Sequence, residues 1–237
     1  MSDRLAEAVR DNAGWCDLMC RAHGSPGTFT GRAWTNAVRT PLFYPDAVTL
    51  SPSATAADVL DRIDSGPGAS VKDSYATLDL PGFDVLFEAQ WLWRSAPGRT
   101  DASRTGTGPA ARRRPGAGIG WEVVGDAATL ADWERTAFSG EVRGLFPASL
   151  LGHVGILCGR IDGEVVCGSV LTPSGAVAGV SNVFASGCDL DTAWAGTVAM
   201  AASLFPGRPL VGYESDHETA VRHGFTPIGP LRVWLKR

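Results

Sequence analysis

The chain has 237 residues, of which 44% are hydrophobic and 19% charged, with a formal net charge of −4. That length can bury a sizeable core in one large or two small domains, and the composition excludes a disordered, collagenous or coiled-coil protein. No apolar run reaches the roughly 18 residues that cross a bilayer, so no spanning helix is expected and no membrane partner is assigned.

Residues 1–24 are charged and amphipathic, with Leu5, Val9, Trp15, Leu18 and Met19 on a broken stripe and Gly24 and Pro26 as stops. This predicts a helix. It carries no signal core, so the protein is read as cytoplasmic. Five cysteines, an odd number, then fit reduced thiols. Cys16 and Cys20 share one helix face but have no second pair to complete a zinc site, and buried thiols are the preferred reading.

Residues 25–40 are loop-like, rich in Gly, Ser and Thr, and residues 43–50 read as a strand entered through a turn. Residues 53–63 predict a helix capped by Ser53 or Thr55. Residues 71–80 and 83–93 read as two strands around a Pro81-Gly82 turn.

The composition changes at residue 95. Residues 95–118 are Gly, Pro, Ala, Ser, Thr and Arg without an apolar period, which predicts a linker or long loop. Within it Arg112-Arg113-Arg114 is read as a solvated charge run, with a phosphate or nucleic-acid contact as the alternative. The acidic balance disfavours a nucleic-acid partner.

The second half is more regular. It predicts a strand at 121–124 and a helix at 126–138 capped by Asp126. Three strands at 154–161, 165–172 and 176–184 follow, separated by Asp162-Gly163 and Pro173-Ser174-Gly175 as an antiparallel meander. A helix at 192–204, a strand at 209–214, a short helix at 216–223 ended by Gly224, and a final strand pair or bent strand at 226–236 complete the chain. The order implies an α/β arrangement around a mixed sheet.

That order and the closing segment resemble the GNAT superfamily of acyl-CoA-dependent N-acyltransferases over residues 119–237. The run Pro209-Leu-Val-Gly-Tyr-Glu214, a short helix, then His223-Gly224-Phe225 and the segment to Trp234 is similar to the family's fifth strand and its continuation. The run from Gly155 to Phe184 is similar to strands two to four. In the first half, Ser70 to Tyr75, Gly82-Phe83 and Asp84 to Arg94 parallel Pro209 to Glu214, Gly224-Phe225 and Thr226 to Arg237. Residues 1–94 are therefore read either as a degenerate copy of the same fold or as a coincidence of generic patterns. The expected fold is a GNAT-like mixed sheet flanked by helices, in two related halves.

The resemblance implies transfer of an acetyl group from acetyl-CoA to a primary amine of a small molecule or peptide. It places the pantetheine arm along the strand Val180-Ser181-Asn182-Val183-Phe184, with Asn182, Val183 and Phe184 as the binding candidates and a backbone amide near Val183 as the oxyanion donor. The pyrophosphate would lie on Asp191, Thr192, Ala193, Trp194, Ala195 and Gly196 at a helix start. This sequence departs from the family's loop signature: Leu190 replaces an Arg or Gln, and Ala193 replaces a Gly. Asp191 adds a carboxylate there, although Asp191 or Thr192 would also serve as a helix cap. Trp194 would either stack on the adenine or block the groove.

The family's usual proton donor, a Tyr before the Gly-Phe, falls on Ala220. Tyr213 and His217 are the nearest substitutes, and Glu214 is the candidate base. As neighbours on one strand, Tyr213 and Glu214 should face opposite sides, so one alone is expected to reach the site. A catalytically degenerate GNAT-like protein, binding a ligand or partner or running a different reaction, is the alternative. A homo-oligomer is compatible with the sequence.

Overall fold

The computed structural model describes residues 3–96 and 118–237. Most of the expected linker, with Arg112 to Arg114, lies outside the described residues.

The first half begins with helix α1 (Asp3–Ala22). Strands β1 (Thr28–Phe29), β2 (Ala33–Thr35) and β3 (Ala47–Thr49) follow. The segment 25–40, expected as a loop, thus carries two short strands. Trp34 explains their place: it is fully buried against Cys16, Cys20 and Val48, and its indole N–H donates to Asp17 Oδ1 at 3.0 Å. Helix α2 (Ala56–Leu60) is shorter than expected and is closed by a capping box between Thr55 and Asp58. Strands β4 (Ser70–Asp73) and β5 (Asp84–Arg94) complete this half.

The second half runs β6 (Gly120–Val123), α3 (Ala127–Ala137), a 3-10 turn (Ala148–Leu150), β7 (Gly155–Ile161), β8 (Glu164–Ser174) and β9 (Val177–Ala185). Then come α4 (Leu190–Leu204), β10 (Leu210–Glu214), α5 (Glu218–Arg222) and β11 (Thr226–Leu235). The expected meander is β7-β8-β9. Asp126 caps α3, with Oδ1 accepting from the Ala128 and Thr129 amides at 2.9 Å. The last segment is one strand, bent by register shifts at Pro227/Gly229 and Val233/Trp234, and not a strand pair.

The eleven strands of the described residues form one mixed sheet in the order β1-β2-β3-β4-β11-β5-β10-β9-β8-β7-β6. The hairpin expected across Pro81-Gly82 does not form. β11 lies between β4 and β5, and β5 in turn lies between β11 and β10. Each half therefore lends its last strand to the other. The pairing is alike on both sides: β3 is parallel to β4 and β9 to β10, whereas β4 is antiparallel to β11 and β10 to β5.

Helix α1 crosses one face of this joint sheet. Leu5, Ala8 and Val9 pack on Trp91, Trp93 and Leu231, while Trp15 and Met19 reach Trp133 and Leu150 of the second half. On the opposite face Leu92, Val180 and Phe225 pack with Trp194 of α4 and Ala220 of α5. Among the described residues no helix is long and apolar enough to cross a membrane.

Candidate functional site

Strands β9 and β10 pair in parallel only at Leu210↔Ala178 and Val211↔Gly179. Gly212 marks the last close approach, since a Cβ there would sit 2.6 Å from the Val180 carbonyl oxygen. Beyond that point the strands part, and among the described residues no other strand covers the exposed edge of β9. Along this edge Asn182 takes φ +52°, a left-handed conformation that Asn tolerates better than most residues. The register with β8 passes from Val170↔Ser181 to Gly168↔Phe184, so Asn182 and Val183 together oppose Ser169 as a bulge. A bulge beside a strand separation re-aims backbone groups into the gap.

The gap opens into a cavity of about 240 Å³. Val180, Ser181, Asn182 and Val183 form one wall, and Tyr213 and Glu214 the other. Asn12, Cys16, Tyr44 and Lys72 close it from the first half. Tyr213 and Glu214 both line the cavity, against the expectation that only one would.

Electrostatics distinguish this cavity. Lys72 is deeply buried, retaining 3% relative exposure. Its Nζ donates to Asn12 Oδ1 at 2.8 Å and to Tyr213 Oη at 3.1 Å, and lies 4.2 Å from the centroid of the Tyr213 ring. No carboxylate of the described residues lies within ion-pair distance of it. Burial, reinforced by the charge of Asp216, pushes the Glu214 carboxyl up to about 7. Ser181 Oγ is buried without a partner among the described residues.

The sequence alone does not single out Lys72 or Asn12. Lys72 has one available signal: it is one of only two lysines against 19 arginines.

The other expected ligand contacts fall elsewhere. Phe184 packs edge-on against Trp133, with centroids 5.4 Å apart. Ala193 and Trp194 are core residues; Trp194 meets the Phe225 ring at 5.2 Å, so it neither stacks outward nor fills the gap between the strands. Gly196 makes room for Trp121, whose ring would lie 2.1 Å from a Cβ at that position. Ala195 faces solvent on the same helix. Ala220 is the buried residue of α5.

The start of α4 is satisfied by its own side chains. Asp189, not Asp191 or Thr192, is the cap, with Oδ1 accepting from the Thr192 amide at 2.7 Å. Asp191 accepts from Arg222 Nη2 at 2.7 Å and contacts His223 Nε2 at 3.1 Å. The Arg222 hydrogen bond chiefly holds its carboxyl below the usual range. The amides of Ser186 and Gly187 both donate to the Val166 carbonyl.

The fit to acetyl-CoA is therefore divided. A strand-like acylated arm meets a free backbone edge, a bulge and an unpaired serine hydroxyl. A phosphate group would meet two aspartates and a helix start whose cap is already occupied.

No family model matches the sequence, and no curated protein matches it. Solved structures do. The chain is similar to a GCN5-related N-acetyltransferase from Kribbella flavida, at 14% identity over 97% of this chain and 95% of that one, with a TM-score of 0.58. It is similar to a GNAT-family protein from Novosphingobium aromaticivorans, at 16% identity, 97% and 99% coverage and a TM-score of 0.56. A functionally unknown conserved protein from Staphylococcus epidermidis matches at 11% identity, 88% and 92% coverage and a TM-score of 0.57. The fold is that of the GNAT acetyltransferases, and the likeness spans both halves.

Proposed function

We propose that the protein is an N-acetyltransferase that moves an acetyl group from acetyl-CoA to a primary amine. The observation that carries this reading is the parting of β9 from β10 after Val211, with Tyr213 and Glu214 on the cavity it opens. Bound acetyl-CoA would supply an acyl group activated as a thioester. Val180 to Val183 would hold its pantetheine arm through the free edge of β9, as an added strand is held. The Val183 amide, in the bulge, is assigned as the donor to the developing oxyanion.

Proton handling falls to two side chains. Glu214, with its carboxyl near neutrality, is suited to take the proton of an acceptor ammonium at physiological pH. Tyr213 Oη already accepts a hydrogen bond from Lys72, so its own O–H is free to donate to the departing sulfur. The buried ammonium would stabilise the phenolate left behind. Lys72 comes from the first half, which gives that half a part in the chemistry even if it binds no acyl donor itself. The reciprocal placement of β5 and β11 supports reading residues 1–94 as a degenerate copy of the 119–237 unit.

The aspartates at the start of α4 favour a second reading, in which the cavity binds a ligand without acetylating it. Incubation with acetyl-CoA and a panel of primary amines, followed by detection of free thiol, separates the two. Release of CoA that depends on both an amine and Tyr213 supports the transferase. Amine-independent release, or none, favours the binding protein.

A further inference from the structure

Beside the cavity at the strand gap lies a second one, of about 460 Å³. Lys72, Phe43, Tyr44, Pro45 and Tyr213 line both, so the two chambers adjoin along these residues. The second chamber is walled mainly by apolar side chains, with Leu42, Leu86 and Val233 among them. Leu42 and Phe43 stand at its mouth, 59% and 68% exposed.

The loop that carries them is braced. Asp46 is buried and accepts from the Thr40 amide at 2.9 Å, the Thr40 hydroxyl at 3.1 Å, the Ser70 amide at 2.9 Å and Arg39. Phe43 is held at φ +70°, a conformation costly for a bulky side chain, and its ring stacks on Phe138 at 5.8 Å. A rigid loop therefore holds exposed apolar surface over the chamber.

Lys72 supplies the polar requirement. An ammonium has three N–H donors, and the described residues accept two, from Asn12 and Tyr213, both uncharged. A buried cation without a counter-charge is expensive and attracts an anion when one fits. The third N–H has no acceptor among the described residues, and Lys72 lines both chambers. Arg39, the other cation of the apolar chamber, is already paired with Asp46 and Asp64.

We infer that Lys72 is the recognition point for a carboxylate, and that the acceptor is an amino acid-like molecule. Its apolar body would fill the chamber under Phe43 and Leu42, and its amine would face Glu214. The proposal rests on the transferase reading for the role of the amine, whereas the carboxylate contact stands on the geometry of Lys72 alone.

Calorimetric titration of the full chain tests it with 3-phenylpropanoate and octanoate against the matched alcohols, 3-phenylpropan-1-ol and octan-1-ol. At least one carboxylate should bind about tenfold or more tightly than its alcohol, a preference that falls with added salt. Lys72→Met should abolish the preference and Lys72→Arg should keep it. If Lys72→Met does not fold, the wild-type ratio and a parallel loss of affinity for both members of the pair in Phe43→Ala decide. Equal affinity for acid and alcohol, or binding of neither, overturns the inference. Carboxylate-selective binding without acetyl transfer to any amine would uphold it and refute the transferase. Transfer to amines regardless of a carboxylate would do the reverse.

Discussion

Lys72 and Tyr213 stand 141 positions apart in the chain, yet Lys72 Nζ lies 3.1 Å from the Tyr213 phenolic oxygen. The contact exists because β11 and β5 cross between the halves. That exchange places β4, which carries Lys72, two strands from β5 and three from β10, which carries Tyr213. Both side chains then project onto the face covered by α1, where Asn12 ties the ammonium to the helix at 2.8 Å. The proposed chemistry is thus a property of the joined sheet.

The first prediction concerns Tyr213. Tyr213→Phe keeps the ring that packs against Trp91 at 5.5 Å and removes only the hydroxyl. Acetyl transfer should fall about 10²–10⁴-fold in kcat, the usual worth of a positioned general acid. Affinity for acetyl-CoA, measured by calorimetry, should change little. A variant of normal turnover would remove Tyr213 from the mechanism.

A second prediction follows from the Glu214 carboxyl near 7. As a base it works ionised, so kcat/KM should rise with pH through about 7, and Glu214→Gln should lose that limb. Stability should move the opposite way. Asp11, raised by burial to about 7 and hydrogen-bonded to Thr172 at 3.0 Å, behaves alike. Both groups hold a proton in the folded chain over a range where the unfolded chain has lost it. Their stabilising effect is complete below the ordinary carboxylate range and is lost as pH rises through about 7. Denaturant midpoints at about pH 5 and about pH 8 should show this decline, and the Asp11→Asn, Glu214→Gln double variant should flatten it.

The start of α4 yields a third. Asp191 engages Arg222 and His223 and offers a carboxylate where a phosphate would have to approach. Asp191→Asn should free the Arg222 guanidinium and tighten acetyl-CoA binding by about threefold to tenfold, with a steeper salt dependence. By the same argument S-acetylpantetheine should bind within about tenfold of acetyl-CoA in the wild type. A loss of affinity in Asp191→Asn would show that this carboxylate assists binding.

Packing gives a fourth. Gly196 leaves no space for a methyl group beneath Trp121, whereas a Cβ at Gly31 would have nothing within 4 Å. Gly196→Ala should cost about 1–3 kcal/mol through overpacking. That lowers Tm by about 2–4 °C per kcal/mol in a domain of this size. Gly31→Ala should be close to neutral in the same thermal scan.

What the sequence discloses and what it hides follow from the range of the interactions. The β7-β8-β9 meander is legible because Asp162-Gly163 and Pro173-Ser174-Gly175 punctuate it locally. The helix at α3 is legible from its Asp126 cap. The separation of β4 from β5 is not, because Pro81-Gly82 carries the local signature of a hairpin while β11, from the far end of the chain, takes the place between them. Tyr213, Glu214, Asn182 and Val183 can be singled out from their positions in an ordered series of strands, and they meet on one cavity. Lys72 and Asn12 cannot, since their relation to that cavity exists only after the halves interlock. Asp189 is hidden as the cap of α4 because the helix begins two residues earlier than its apolar pattern suggests.

Hydrogen exchange of the backbone, read by mass spectrometry with and without acetyl-CoA, tests the placement of the acyl arm between β9 and β10 most directly. The placement predicts slowed exchange in peptides covering residues 180–184 on ligand addition, with little change in β6 or β7. Exchange at residues 180–184 that stays unaltered at saturating acetyl-CoA would contradict it.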